Sequence, residues 1–140
     1  MLLSAPATLL TAAVTLLAVL VALWTAILVS RTRTRVGIPP PATTGSPDLE
    51  CALRIQANTV EQFILFLPAL WLAALFFQGW APPVIGLLWC LGRLLYSFGY
   101  KPAKPGGRAP GFMIAMLSTL VLIVLAIIGI VLDWTAVSAT

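Results

Sequence analysis

The chain has 140 residues and a formal net charge of +4; 61% of its residues are hydrophobic and only 9% are charged. Soluble domains average roughly a quarter charged residues, so this composition excludes an ordinary soluble protein and points to the membrane class. With no histidine, and with Cys51 and Cys90 at no metal-ligating spacing, the chain offers no metal site, and both thiols read as small packed hydrophobes.

A helix needs about 20 apolar residues to cross the hydrocarbon core. Four runs meet that need, at residues 6–29, 59–78, 81–100 and 111–132, and little chain is left over for a soluble unit. The expected fold is all-α: a single integral membrane four-helix bundle over 1–140, with helices over about 6–30, 48–78, 81–100 and 111–134.

In chain order, MLLSAPATLL carries no charge and the cluster RTRTR follows the first apolar run. A secretory signal has the opposite order, so this run reads as a retained first helix. GIPPPATTGSPDLE then breaks the helix, because consecutive prolines cannot continue one; SPD supplies an N-cap and acidic residues suited to a helix start. The second helix runs from Pro47 or Asp48 to about Gln78, with Pro68 inside it. GWAPP makes a tight turn, with Trp80 suited to the membrane interface. The third helix ends near Tyr100, KPAKPGGRAPG forms a second breaker-rich linker, and the fourth is an uninterrupted Leu/Ile/Val run ending near Asp133.

Four crossings put the first and last linkers on the same side. Arg31, Arg33 and Arg35 fall in the first linker and Lys101, Lys104 and Arg108 in the last, while the opposite side carries no Lys or Arg. The positive-inside rule places both linkers in the cytoplasm and both termini on the opposite side. The basic excess therefore reports topology, and nucleic acid is excluded as a partner. Short termini without a targeting or retention tag favour a bacterial inner membrane over the endoplasmic reticulum.

Polar residues interrupt this apolar chain at two places. In the second helix Glu50, Arg54, Asn58 and Glu61 are spaced four, four and three apart, within an arc of roughly 80°, and Gln62 borders the stripe. In the third helix Arg93, Tyr96 and Tyr100 share one face, with Arg93 roughly 10 Å before the helix end. Both stripes lie in the cytoplasmic half and can meet at one level. One account is mutual neutralisation, Arg54 with Glu50 or Glu61 and Arg93 with a carboxylate across an interface. The other is a polar ligand site, since two arginines, two carboxylates, an amide and two phenols exceed what one structural pair requires. Such a set suits a small zwitterion held beside lipid.

These residues carry a resemblance. PPPATTGSPDLE, the pattern E-x-x-x-R-x-Q-x-N-x-x-E from Glu50 to Glu61, LFLPALWLAALFF, and GRLLYSFGY from Gly92 to Tyr100 resemble the membrane-associated proteins in eicosanoid and glutathione metabolism, the MAPEG family. The similarity spans about residues 10 to 134. It implies a homotrimer of four-helix subunits, with glutathione as co-substrate held between neighbours near the cytoplasmic face. Position by position it implies glutathione contacts at Arg54, Asn58 and Glu61, with Gln56 beside them, at Arg93, Tyr96 and Tyr100, and at Arg33. It also implies a glutathione transferase, with possible peroxidase activity, that activates the thiolate against lipophilic electrophiles arriving from the bilayer between the first and fourth helices. The family's thiolate-stabilising arginine follows the third helix, and Arg108 is the only arginine there. Gln62 stands where some members carry a tyrosine, and Cys51 where a second arginine is common. The alternative is a non-catalytic lipid- or glutathione-binding accessory protein of the same fold. A small drug–proton antiporter is disfavoured, because no ionisable residue precedes Arg31.

Overall fold

The computed structural model describes residues 6–139, in four helices: α1 (Pro6–Val36), α2 (Pro47–Leu72), α3 (Ala81–Gly99) and α4 (Ala109–Ser138). A π-helical turn, Ala73–Phe77, prolongs α2, and a 3-10 turn, Pro105–Arg108, leads into α4. All four helices are long and apolar enough to span a bilayer, and the chain is an all-α integral membrane protein.

The first linker is shorter than its sequence suggests. RTRTR remains helical, so Arg31, Arg33 and Arg35 ride on the last turns of α1, where cations complement the helix dipole. Gly37 then adopts φ +69°, and Ile38 N–H donates to Arg33 C=O at 3.2 Å, the 6→1 bond of a Schellman motif. Arg35 Nη2 meets Asp48 Oδ2 at 2.9 Å, joining the end of α1 to the start of α2. Ser46 occupies the N-cap position of α2, but its hydroxyl makes no capping bond.

The main core draws on every helix: Val14, Ala18 and Val21 of α1 pack with Phe66 and Leu70 of α2, Trp89 of α3 and Leu122 of α4. Trp89 stacks on Phe66 with ring centroids 4.1 Å apart. Lipid tails are as apolar as leucine, so helices in a membrane associate through close packing rather than through a hydrophobic drive. Here α3 and α4 meet through glycine. A Cβ on Gly92 would lie 2.7 Å from the backbone nitrogen of Ala115, and one on Gly111 would overlap the backbone at Tyr96. That close approach fixes the start of α4, and the linker before it, against the end of α3 that carries Arg93 and Tyr96.

Replacing Gly111 with leucine should therefore force the two helices apart. Overpacking costs about 1–3 kcal/mol, so Gly111→Leu should lower the thermal midpoint of the detergent-solubilised protein, followed by circular dichroism. Met113→Leu, at a half-exposed position on the same turn, should leave the midpoint unchanged. Equal midpoints for the two variants would contradict the glycine contact.

Candidate functional site

The site is built around an arginine that has no carboxylate. Arg93 is 0% exposed, on the face of α3 turned toward α2. Its Nη2 donates to Thr59 Oγ1 at 2.6 Å and its Nη1 points to Gln62 Oε1 at 3.5 Å, while the buried Nε finds no partner. The Thr59 hydroxyl donates in turn to Ile55 C=O at 2.6 Å, which leaves its lone pairs directed at the guanidinium. Asn58 Nδ2 donates to the Tyr96 hydroxyl at 2.5 Å.

The rings continue this cluster toward the linkers. The Arg93 guanidinium sits 4.1 Å from the centroid of Tyr96, Tyr96 meets Tyr100 edge-on at 5.8 Å, and the Arg108 guanidinium lies 4.4 Å from the centroid of Tyr100. The order Arg93–Tyr96–Tyr100–Arg108 is a ladder of cations and aromatic faces leading from the bundle interior to the turn before α4. Each cation–aromatic contact is worth about 0.5–2 kcal/mol, more where water is excluded.

Not every candidate joins this ladder. Asn58, Arg93 and Tyr96 are in direct contact, and Tyr100 and Arg108 extend them. Arg54 and Gln56 instead line an open groove of about 650 Å³ on another face of α2, with Glu50, Thr43 and Thr44. Glu61 is exposed, and the side chains of Arg54, Gln56 and Glu61 make no hydrogen bond or ion pair among the described residues. Arg33 serves the first linker, donating from Nη1 to Ala42 C=O at 2.7 Å and to Ile38 C=O at 3.4 Å. The polar stripe of α2 thus divides along the line where α3 packs: Asn58 falls on the inner side, Arg54 and Glu61 on the outer.

Mutual neutralisation of these stripes does not occur among the described residues of the single chain. Among the described residues the ion pair is Arg35–Asp48; Arg54 engages neither Glu50 nor Glu61, and Arg93 meets only neutral groups. Thr59, the closest partner of Arg93, was not singled out from sequence, because a threonine between Asn58 and Val60 passes for membrane filler. Its position three residues before Gln62, on the side facing α3, was the available signal. No cluster of metal-ligating residues occurs among the described residues.

The described residues thus form a four-helix membrane protein with an arginine–tyrosine cluster at its linker end. Residues 9–128 match the family model described as "MAPEG family", and the chain belongs to that family. Relatives include leukotriene C4 synthase of Cavia porcellus, 36% identical over 128 residues covering 91% of this chain and 85% of that protein. Human microsomal glutathione S-transferase 2 is 34% identical over 119 residues, covering 85% of this chain and 80% of its own. An uncharacterized protein of Synechocystis sp. is 43% identical over 119 residues, covering 85% and 86%.

The Arg93 cluster predicts a measurable contrast. Thr59→Val removes the one short acceptor of a buried cation and should cost about 1–3 kcal/mol of stability. Arg35→Ala removes an exposed ion pair and should cost at most about 1 kcal/mol. Thermal unfolding in a single detergent compares them; a larger loss for Arg35→Ala would refute the ranking.

Proposed function

We propose that the protein is a membrane glutathione transferase that activates the glutathione thiolate for attack on lipophilic electrophiles from the bilayer. The observation that carries this is the buried, carboxylate-free Arg93 at the inner end of a ladder that ends at Arg108. A cation buried without a counter-charge is costly, and an anionic ligand relieves that cost. Glutathione brings two carboxylates, an ammonium and a thiol, matching arginines, a free carboxylate and phenols. The names of the relatives, a glutathione S-transferase among them, support the same ligand.

In this reading Arg93, Tyr96, Tyr100 and Asn58 form the inner wall. Arg54, Gln56 and Glu61 form an outer wall, closed by a neighbouring subunit of a homotrimer, and Arg33 braces the first linker at its edge. Unpaired charges on a membrane-spanning helix call for such cover. Both linkers lie in the cytoplasm, and a bacterial inner membrane is the setting.

Arg108 stabilises the thiolate. A free thiol titrates near about 8.5, so a guanidinium beside the sulfur raises the fraction ionised at neutral pH. The thiol proton leaves to solvent. The sulfur lone pair forms the S–C bond while the leaving group departs with its electron pair.

Purified protein should conjugate glutathione to a generic aryl halide, and glutathione should raise its thermal midpoint. Arg108→Ala should lower turnover by about 10²–10³-fold, the effect of deleting one charge-stabilising donor, with the glutathione shift retained. Arg54→Ala should weaken glutathione binding by about tenfold. A shift without turnover in the unaltered protein would favour the accessory-protein alternative; no shift would remove the site altogether.

A further inference from the structure

A second groove opens at the linker end, between α1, α2 and α3. It measures about 320 Å³, within the range of small-molecule pockets. It uses Cys51, Ala52 and Ile55, a different face of α2 from the one bearing Arg54. Its deeper wall is apolar, formed by Trp24, Leu28, Ile55 and Phe98, with the Trp24 and Phe98 rings 5.3 Å apart. From there it continues into lipid-facing surface, since Leu20 and Leu23 of α1 and Leu91 and Leu95 of α3 are all exposed.

The mouth is different: it gathers hydrogen-bond donors. Thr32 is only 5% exposed, yet its hydroxyl has no hydrogen-bond partner. On the same helix Thr11, Thr15, Thr25 and Thr34 each donate to a carbonyl three or four residues earlier. The Thr32 hydroxyl is thus left to face the groove it lines. One turn on, Arg35 spends Nη2 on Asp48 and keeps its other N–H groups free. Across the groove, Lys101 makes no ion pair and Tyr100 presents a phenol. Among the described residues the one carboxylate lining the mouth, Asp48, is held by Arg35 and is not free to receive an ammonium.

We infer that this groove binds an anionic phospholipid, with its phosphate held by Thr32, Arg35 and Lys101 and the start of an acyl chain laid on Trp24, Leu28 and Phe98. The cationic mouth selects an anion, and the apolar wall, continuous with the bilayer-facing surface, selects an anion carrying a chain. A hydroxyl without a partner, on a residue otherwise almost wholly buried, supplies a fixed contact that a merely basic surface lacks. The groove shares Tyr100 with the glutathione wall, but its anion-holding groups, Thr32, Arg35 and Lys101, lie outside that wall, and neither Arg54 nor Arg93 takes part in it.

The test adds lipid to delipidated full-length protein in neutral detergent micelles and follows the thermal midpoint. Phosphatidylglycerol should raise it saturably, while phosphatidylcholine and inorganic phosphate at matched concentration should not. Thr32→Val, which keeps the side-chain shape, and Lys101→Gln should each weaken the phosphatidylglycerol effect about tenfold. Lys104→Gln removes the same charge from an exposed position outside the groove and should leave the effect intact. Equal losses for Lys104→Gln and Lys101→Gln would reduce the effect to surface charge and overturn the site. So would an equal shift with phosphatidylcholine, or one with phosphate alone. Glutathione titrated in parallel separates the two sites: a glutathione shift without a phosphatidylglycerol shift would overturn only this inference.

Discussion

A guanidinium buried within a membrane bundle constrains everything around it. Arg93 has no counter-ion among the described residues, so its charge is met by a hydroxyl, a distant amide and an aromatic face. These partners come from α2 and from the next turn of α3. The register of α2 against α3 is therefore tied to one residue: a slip of one position on α2 would replace the Thr59 acceptor with Asn58 or Val60. Burial without a full complement of partners is costly, and the unpaired Nε marks where the cost remains.

The same constraint gives α4 its place. Because α3 and α4 touch through Gly92 and Gly111, the chain entering α4 is drawn up against Tyr96 and Tyr100. Arg108, at the end of the 3-10 turn, thereby reaches the Tyr100 ring. An interior cation and a linker cation are joined through two phenols, and a thiol lying along that line would meet positive potential at both ends. On the other side of the bundle the arginines at the end of α1 do different work. Arg33 ties down linker carbonyls, and Arg35 links α1 to α2 while facing the second groove.

Much of this was legible from residue order. Apolar run length marked the four spans, and helical spacing brought Asn58, Arg93 and Tyr96 to a common level. Three features were less accessible. RTRTR reads as linker because its residues are charged, yet a Schellman turn at Gly37 lets the helix run through it. An arc of roughly 80° on a helical wheel cannot tell which of its edges meets a neighbour, so the division between Asn58 and Arg54 depends on how α3 packs. Thr59 escaped notice because a threonine in a membrane helix normally satisfies itself on its own backbone. Thr59 does so too, and still accepts from Arg93. Periodicity carries such a residue's position but not its second bond.

The central claim is that the ladder ending at Arg108 holds glutathione as its thiolate. The most direct measurement is the ultraviolet difference absorbance of the thiolate when glutathione is mixed with the purified protein at neutral pH, without any electrophile. The account predicts a saturable thiolate signal in the unaltered protein and its loss in Arg108→Ala. A protein saturated with glutathione that shows no thiolate signal, or an Arg108→Ala variant that keeps it in full, would contradict the account.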